Sequence, residues 1–411
     1  MSEQTFIIAG ASLAGATAAA ELRERGFDGR VVLIGSEPQR PYQRPPLSKE
    51  YLRGDAGLDQ VYVHDESFYA DQAIELRTST TVESVEPGSS EVVCGGGERL
   101  RYDRLLLTTG AQARRLSIPG AELQEIYHLR TLPESDRLRE RLGRGGRLVV
   151  VGAGWIGCEV AAAARQMGLD VTVIAPAAVP LEHQLGPEAG AIYREIHTDQ
   201  GVKMLLGTRV ERFEGSTAVQ RVVTTDGRAI DCDFVVVGVG ATPNVQLAAA
   251  AGITVEDGIV CDAFLQTSLE GVFAAGDVAS VRYPTFGRLR VEHWATALNQ
   301  GPAAARNMLD HAVAYDRVPY FYSDQYDVGM EYTGHAVEWD EVVFRGDVAD
   351  RKFIAFWCKD QRVLAGMNVN VWDVTEQIEA LIRSRLRIDR ARLADPDTPL
   401  GDLAPDIVAA P

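Results

Sequence analysis

Hydrophobic and polar positions along this chain predict the same strand–loop–helix–strand unit twice. Each unit opens with a short apolar run, turns through glycines, continues with an alanine-rich helical pattern and reaches a second apolar run. The helical patterns stop at Gly26 and Gly168. The chain is therefore predicted to be an α/β protein with two βαβ units. The four apolar runs are at 6–8, 31–34, 148–151 and 171–174.

The glycine-containing turns of the two units, GASLAG and GAGWIG, are typical of dinucleotide-binding loops. The first glycine of such a loop allows a tight turn, the second lets the backbone approach a pyrophosphate, and the third lets the helix pack against the strand. The helix N-terminus then faces the phosphates. GASLAG alone could be an ordinary strand-to-helix turn, but two copies in matching units favour two dinucleotide sites. The three positions are Gly10, Ser12 and Gly15 in one loop and Gly152, Gly154 and Gly157 in the other.

An acidic residue about 20 positions after such a loop often binds a ribose hydroxyl. Glu37 has this position after the first loop, although it could also be a solvated loop acid. After the second loop the first acid is Glu182, and no Arg or Lys lies at 175–178 to bind a 2′-phosphate. The choice between NADH and NADPH therefore stays open at this point.

The chain is acidic: its 411 residues include 58 acidic and 41 basic side chains, which gives a formal net charge of −17. This charge disfavours binding to nucleic acid or anionic lipid. The apolar stretch at 6–20 follows a leader without Lys or Arg, is broken by two glycines and is too short to cross a bilayer. We therefore expect no nucleic-acid partner and no membrane partner.

The five cysteines are scattered and show no spacing typical of a disulfide framework, a zinc site or an iron–sulfur site. This predicts no metal site and favours a cytoplasmic location. The stretch at 395–411 is rich in Pro and Asp and is expected to be disordered. The cysteines are Cys94, Cys158, Cys232, Cys261 and Cys358.

Further motifs, in order along the chain to about residue 385, resemble those of the FAD-dependent, NAD(P)H-dependent ferredoxin reductases of oxygenase systems. This family includes the putidaredoxin-reductase, rubredoxin-reductase and biphenyl-dioxygenase-reductase types and is related to apoptosis-inducing factor. The motifs are RPPLSKEYL at 44–52, LLLTTGA at 105–111, HLRTL at 128–132, VVVGVGATPN at 235–244, VFAAGDVAS at 272–280, RVEHWATALNQG at 290–301 and YFYSDQYD at 320–327.

The resemblance implies a glutathione-reductase-like fold with two Rossmann-like domains and a C-terminal α+β domain. An FAD-binding domain would comprise residues 1–112 and 240–320, interrupted by an NAD(P)H-binding domain at 113–239. The C-terminal domain would comprise 321–411 and end in a flexible tail.

The resemblance also implies the binding residues, although each of them taken singly could be structural. Those expected to contact FAD are Gly10, Ser12, Ala14, Gly15, Glu37, Arg44, Lys49, Thr109, Gly110, Arg130, Gly276, Asp277, Glu292, His293 and Trp294. Those expected to contact NAD(P)H, with NADH favoured and NADPH possible, are Gly152, Gly154, Ile156, Gly157, Glu159 and Gly240.

Lys49 and Glu159 are the candidate catalytic residues, a cation and an acid that could pair and tune hydride transfer between nicotinamide and flavin. Related disulfide reductases, oxidases and peroxidases need a cysteine beside the flavin, but residues 27–93 contain none. Cys158 follows the second loop and is interpreted as structural. An external one-electron carrier is therefore expected.

That carrier is expected to be a two-iron ferredoxin serving a haem monooxygenase or a ring-hydroxylating dioxygenase. Ferredoxins are usually acidic, so docking on this acidic chain needs a local basic patch; Arg306 and the run Arg383–Arg392 are candidates. Tyr322 stands where many family members have a Trp near the flavin, which affects carrier choice and nicotinamide stacking.

Two other functions stay open, and the chain could be a monomer or a homodimer. One is an NADH oxidase or a monodehydroascorbate-type reductase with a small acceptor. The other is an NADH-sensing protein like apoptosis-inducing factor.

Overall fold

The computed structural model describes residues 4–403, and the chain divides into two compact units. The first unit is drawn from Met1–Pro45, Gly57–Gln112 and Ala241–Pro319, and the second from Pro46–Ala56, Ala113–Gly240 and Tyr320–Pro411.

The helices are α1 (Leu13–Glu24), α2 (Glu50–Arg53), α3 (Phe68–Asp71), α4 (Leu132–Leu142), α5 (Trp155–Gln166), α6 (Glu182–Asp199), α7 (Gln246–Ala250), α8 (Trp294–Met308), α9 (Thr375–Ser384) and α10 (Arg390–Ala394). The strands are β1 (Thr5–Ala9), β2 (Arg30–Ile34), β3 (Ile74–Arg77), β4 (Val82–Glu86), β5 (Glu91–Cys94), β6 (Arg99–Arg101), β7 (Arg104–Leu107), β8 (Ala111–Ala113), β9 (Ile126–Tyr127), β10 (Arg147–Val151), β11 (Asp170–Ala175), β12 (Lys203–Leu206), β13 (Val210–Glu214), β14 (Arg221–Thr224), β15 (Ala229–Asp231), β16 (Phe234–Val237), β17 (Ala241–Pro243), β18 (Val255–Glu256), β19 (Gly258–Cys261), β20 (Val272–Ala274), β21 (Ala279–Tyr283), β22 (Gly287–Arg290), β23 (Tyr320–Gln325), β24 (Val328–Gly334), β25 (Glu341–Asp347), β26 (Lys352–Lys359) and β27 (Arg362–Val369).

A five-stranded parallel sheet, ordered β20-β7-β1-β2-β3, forms the centre of the first unit. β1 and β2 each contain four consecutive buried residues, which is typical of parallel strands covered on both faces. The strand order reverses at β1, so the loop that follows β1 lies at a topological switch point, where α/β sheets bind ligands. The predicted strands at 6–8 and 31–34 and the helix between them are confirmed.

The second unit repeats this arrangement in a parallel sheet ordered β12-β11-β10-β16-β9. β10 has the place of β1, and α5 follows it as α1 follows β1. Gly26 and Gly168, with φ of +78° and +85°, come two residues after the ends of α1 and α5, as the sequence predicts. The loop after β10 is therefore at a second switch point.

The C-terminal part of the second unit is an antiparallel sheet ordered β23-β24-β27-β26-β25, against which α9 packs. Phe353, Phe356 and Trp357 of β26 are almost wholly buried in it. This agrees with the α+β domain that the resemblance implies.

The prediction of disorder from residue 395 is wrong for 395–403. The Arg345 guanidinium donates hydrogen bonds of 2.6 Å to the carbonyls of Asp395 and Thr398, and Leu400 and Leu403 are buried. Apolar side chains and satisfied carbonyls thus hold a segment whose composition alone favours disorder. The rest of the predicted tail, 404–411, lies outside the described residues.

Among residues 4–403, no helix combines the length and the apolar character that crossing a membrane requires.

Candidate active site

The loop after β1 brings the backbone of α1 very close to the strand. A Cβ on Gly15 would lie 2.1 Å from the carbonyl oxygen of Gly10, so only glycine permits this approach. Ser12 immediately precedes α1, and its side chain makes no capping hydrogen bond to the helix. The first N–H groups of a helix have no intrahelical acceptor, so this helix end is suited to bind an anion.

Glu37, the predicted ribose acid, is held in place by two partners. The Tyr42 hydroxyl donates a hydrogen bond of 2.6 Å to its Oε2, and a guanidinium nitrogen of Arg44 lies 3.7 Å from its Oε1. Its side chain remains 32% exposed, so one side of the carboxylate is open to a ligand. An oriented and partly open acid fits a ribose diol better than a freely solvated loop acid would.

Gly276 and Asp277 lie beside α8. The Gly276 N–H donates a hydrogen bond of 2.8 Å to Oε1 of Gln300, and Gly276 packs against Ala14. The carbonyl of Asp277 accepts a hydrogen bond of 3.2 Å from the Arg290 guanidinium. Gln300, which is buried in α8, was not among the predicted residues, although it lies within the motif RVEHWATALNQG.

The other predicted FAD residues of the first unit are also anchored by named contacts. Thr109 and Asn244 exchange two hydrogen bonds of 2.8 Å, and the Asn244 N–H donates to the carbonyl of Gly110. Glu292 pairs with Arg290. His293 precedes the first turn of α8, and the Trp294 indole N–H donates to Gln43 Oε1 at 3.0 Å.

Two predicted FAD residues, Lys49 and Arg130, belong to the second unit together with the GAGWIG loop. The Arg130 N–H donates a hydrogen bond of 3.0 Å to Glu134, whose carboxylate also caps α4.

The second loop has the same close approach and one difference. A Cβ on Gly157 would lie 2.1 Å from the carbonyl oxygen of Gly152, but a Cβ on Gly154 would meet no atom within 4 Å. The protein backbone therefore requires Gly157 but not Gly154. The open space at Gly154 fits a pyrophosphate that approaches the backbone there. Ile156 is 42% exposed beside it, and Gly240 is exposed after β16.

No acid extends from the end of β11 in the manner of Glu37. The first acid that follows is Glu182. It accepts a hydrogen bond of 3.0 Å from the Ala178 N–H, so its carboxylate is used within the loop that joins β11 to α6. This part of the second unit consequently offers neither a carboxylate equivalent to Glu37 nor a cation for a 2′-phosphate within 175–178.

Lys49 and Glu159, the predicted catalytic pair, form a buried ion pair. Lys49 Nζ lies 3.0 Å from Glu159 Oε1, and the side chains are 6% and 5% exposed. Ser48 donates a hydrogen bond of 2.5 Å to Glu159 Oε2, and Ser323 donates one of 2.6 Å to Oε1. A buried ion pair persists when further hydrogen bonds satisfy the remaining lone pairs, as these hydroxyls do.

The two serines were not singled out from the sequence, although each lies within a quoted motif, RPPLSKEYL or YFYSDQYD. Tyr322 places its ring 5.4 Å from Lys49 Nζ, within reach of a cation–π interaction. Burial raises the pKa of the Tyr322 hydroxyl to about 12, so the phenol is neutral at physiological pH. The cluster therefore combines one cation, one anion and neutral donors in a protected place.

The candidate docking cations are less available than the sequence suggests. Arg306 forms an ion pair of 2.6 Å with Glu21 of α1. The run Arg383–Arg392 is not one helical face, because α9 ends at Ser384 and α10 begins at Arg390. Within it, Arg383 pairs with Glu379 at 2.7 Å and Arg390 with Glu341 at 3.3 Å.

Comparison of the chain with family models, characterised relatives and solved structures shows which proteins it is similar to. The family model described as pyridine nucleotide-disulphide oxidoreductase matches residues 4–301, and the model described as reductase C-terminal matches residues 320–404. The chain is 38% identical to the anthranilate 1,2-dioxygenase system ferredoxin–NAD(+) reductase component of Burkholderia cepacia, covering 96% of this chain and 98% of the relative.

It is also 35% identical to putidaredoxin reductase of Pseudomonas putida, covering 97% of this chain and 96% of the relative. Among solved structures it is similar to the covalent putidaredoxin reductase–putidaredoxin complex, with a TM-score of 0.94, 35% identity and 99% of each chain covered.

Proposed function

The chain belongs to the pyridine nucleotide-disulphide oxidoreductase family, and we propose that it is a ferredoxin reductase of an oxygenase system. In this proposal a hydride passes from NADH to FAD, and single electrons pass to a two-iron ferredoxin that serves a haem monooxygenase or a ring-hydroxylating dioxygenase. When bound, FAD supplies the chemistry that links a two-electron donor to a one-electron acceptor. The relatives that support this proposal match the chain over nearly its whole length.

One observation carries the proposal. This chain belongs to a family named for disulphide chemistry, yet it has no reactive cysteine. All five of its cysteines are buried and have free thiols. Burial raises the pKa of the Cys158 thiol, which follows the second loop, so this thiol stays protonated and unreactive at neutral pH. Electrons therefore leave through an external one-electron carrier and not through an internal disulfide.

FAD is assigned to the loop after β1 and NADH to the loop after β10. The oriented Glu37 supports an adenosine ribose beside the first loop, and Ser12 can donate a hydrogen bond to the pyrophosphate. The open space at Gly154 supports a second pyrophosphate. NADH is proposed over NADPH because the Burkholderia cepacia relative is named a ferredoxin–NAD(+) reductase component.

Lys49 and Glu159 are assigned to the hydride-transfer step. Lys49 would present its ammonium to the reactive edge of the flavin, and Glu159 would face the nicotinamide. The ion pair fixes the position of the Lys49 side chain, and preorganised groups of this kind cost no reorganisation during a reaction.

A two-iron ferredoxin is the proposed partner, and the cytoplasm is the proposed compartment because the thiols are free. The chain has a formal net charge of −17, so an acidic ferredoxin needs a local basic patch to dock. Arg306 and the run Arg383–Arg392 remain candidates for that patch.

Steady-state reduction of cytochrome c by NADH and by NADPH, with and without two-iron ferredoxins, tests this function. We expect a yellow protein whose cytochrome c reduction depends on one ferredoxin and is faster with NADH. A colourless protein that takes up no FAD would contradict the proposal.

Equal NADH turnover with oxygen or with a small radical acceptor would instead favour an oxidase or a monodehydroascorbate-type reductase. Slow reduction by NADH together with a change of oligomeric state, measured by light scattering, would favour an NADH-sensing protein.

A further inference from the structure

A buried chain of hydrogen bonds leads away from the Lys49–Glu159 pair inside the second unit. Ser323 donates to Glu159 at 2.6 Å, and the Gln325 amide nitrogen donates to Ser323 Oγ at 3.2 Å. His197 Nε2 lies 2.9 Å from Gln325 Oε1, and His197 Nδ1 lies 3.1 Å from the Tyr326 hydroxyl. Ser323, Gln325 and His197 are each at most 1% exposed. None of the proposed roles above uses His197, Gln325 or Tyr326.

The short contact between Ser323 and Glu159 favours one direction for the chain. A neutral imidazole has one donor and one acceptor, and the Tyr326 hydroxyl can donate to Nδ1 only when Nε2 carries the proton. Nε2–H then donates to Gln325 Oε1, which turns the amide N–H toward Ser323. The Ser323 hydroxyl, which accepts from the amide, must give its own proton to Glu159.

In the opposite orientation His197 Nδ1–H would donate to the Tyr326 hydroxyl, and the turned Gln325 amide would donate to Nε2. The Gln325 oxygen would then take the Ser323 proton, which would leave Ser323 Oγ and Glu159 Oε1 2.6 Å apart with no proton between them. Burial lowers the pKa of His197 to about 4, so the ring is neutral at physiological pH and keeps a single donor.

The local backbone agrees with a specific need for the Tyr326 side chain. Tyr326 follows β23 in the short turn to β24 and has a φ of +59°, a region that Gly or Asn occupies more readily. In this conformation the Tyr326 ring meets the His197 ring edge-on, with centroids 5.4 Å apart. This arrangement places the Tyr326 hydroxyl within hydrogen-bond distance of His197 Nδ1.

We propose that His197 and Gln325 are positioning residues that, through Ser323, hold the Glu159 carboxylate in the orientation that pairs with Lys49. The geometry assigns His197 the Nε2–H tautomer, maintained by the Tyr326 hydroxyl. The role in hydride transfer rests on the proposed function, whereas the tautomer and the direction of the hydrogen bonds do not.

Two variants and a matched control test this role. In Gln325→Glu both carboxylate oxygens accept, so Ser323 turns its proton away from Glu159; in Tyr326→Phe the imidazole is released to take either tautomer. Tyr193→Phe is the control, because Tyr193 lies buried in the same core and its hydroxyl has no hydrogen-bond partner among residues 4–403.

The first measurement is anaerobic stopped-flow reduction of the FAD-loaded protein by NADH. We expect the limiting rate to fall about tenfold in Gln325→Glu and about threefold in Tyr326→Phe, because misoriented reacting groups slow a positioned step. The half-saturating NADH concentration should stay near that of Tyr193→Phe in both variants, and so should the melting temperature of Tyr326→Phe. Gln325→Glu should melt lower, because it places an unpaired carboxylate at a position that is 1% exposed. A purely structural role would instead move stability and leave the limiting rate unchanged. Limiting rates equal to that of the control in both variants would overturn the proposal.

The second measurement needs no activity. Nitrogen-15 NMR of the labelled full chain, with His197 assigned by its loss in His197→Gln, reports which ring nitrogen carries the proton. We expect Nε2–H alone in the wild type and a mixture of tautomers in Tyr326→Phe. An Nδ1–H tautomer in the wild type would overturn the proposal. A wild type that NADH fails to reduce, with Nε2–H observed, would contradict the proposed function and leave the direction of the chain standing.

Discussion

The loops after β1 and β10 share their backbone geometry, but the helices that follow them are covered in different ways. Gly15 and Gly157 are both required, because a Cβ on either would lie 2.1 Å from a carbonyl oxygen of its own loop. Over α1 lies α8, which contributes small buried residues and the Arg306 partner of Glu21. Against α5 lies β23, which contributes Ser323 to a buried charged cluster.

This difference separates the residues that the fold requires from the residues that a ligand site requires. The glycines at the strand-to-helix turn serve the protein backbone in both halves and say nothing about which dinucleotide binds. The residues that distinguish the halves are Ser12 against Gly154, and Glu37 against the absence of an acid at the end of β11. The buried acids of the two helices also differ in their partners, because Glu21 pairs with the partly exposed Arg25 and Arg306, whereas Glu159 pairs with the buried Lys49. Ligand identity should therefore follow these positions.

The largest effect is expected from alanine at the shared position. Gly15→Ala and Gly157→Ala should each lower the free energy of unfolding by at least about 4 kcal/mol, because the new Cβ collides with rigid backbone. Chemical denaturation measures this loss. Gly154→Ala is the control and should unfold within about 0.5 kcal/mol of the wild type, since a Cβ there meets no atom within 4 Å. Equal losses in all three variants would mean that the protein backbone also requires a glycine at position 154, contrary to the open space there.

The next effect concerns the charges that the two helices carry. Lys49→Met should cost about 3 kcal/mol of stability, because it leaves the 5% exposed Glu159 side chain without its cation. It should also slow flavin reduction by NADH. Adding Glu159→Gln should recover much of the stability. Arg25→Met removes a 45% exposed partner of Glu21 on α1 but leaves Arg306 paired with this buried carboxylate, so it should cost at most about 0.5 kcal/mol. A loss of similar size in Arg25→Met would contradict the contrast between the two helices.

The buried histidine at the end of the hydrogen-bond chain from Glu159, His197 of α6, also predicts a dependence on pH. His197 has a pKa lowered by burial to about 4, below the ordinary value of 6.5, so the unfolded chain binds a proton first as pH falls. Stability is therefore full above pH 6.5 and should decrease by about 3 kcal/mol as pH falls toward 4. Denaturant titrations at several pH values measure this loss. His197→Gln should lose less stability over the same pH range, because the contribution of the imidazole is absent. An identical slope in His197→Gln would show that the imidazole is not buried in the neutral form.

The smallest effect is expected at the ribose acid of the first half. Glu37→Gln should weaken FAD binding by about 1 kcal/mol, because a neutral amide is a weaker acceptor for a ribose hydroxyl and for Arg44. Its matched control, Glu182→Gln, lies after the second loop and should leave FAD affinity unchanged, since Glu182 serves the Ala178 N–H. Fluorescence titration of the apoprotein with FAD distinguishes the two outcomes.

The regular parts of the molecule could be predicted from the sequence because they repeat. The runs at 6–8, 31–34, 148–151 and 171–174 became β1, β2, β10 and β11, and both helices end where glycines follow them. The pairing of Lys49 with Glu159 was also expected, from the resemblance. These signals are local in the chain or belong to whole motifs.

Contacts between distant segments could not be predicted in the same way. His197 lies on α6 in a stretch without any motif, and its link to Gln325 depends on how α6 meets the hairpin of β23 and β24. Arg345 likewise holds the segment 395–403 from 50 residues away in sequence, a contact that the composition of the segment does not reveal. The pairing of Arg306 with Glu21 likewise changes how available a predicted docking cation is.

The central claim is that the first loop binds FAD and the second binds NADH, and a carboxylate placed in each loop tests it most directly. Ser12 and Gly154 have φ of −119° and −82°, which any residue adopts, so Ser12→Glu and Gly154→Glu should both fold. The measurement is the flavin absorbance of each purified variant before and after anaerobic addition of NADH and then dithionite.

We predict that Ser12→Glu is colourless, because its carboxylate repels the FAD pyrophosphate. Gly154→Glu should be yellow, fail to bleach with NADH and bleach fully with dithionite. A yellow Ser12→Glu that NADH reduces normally, or a Gly154→Glu that loses its flavin, would contradict the assignment of the two loops.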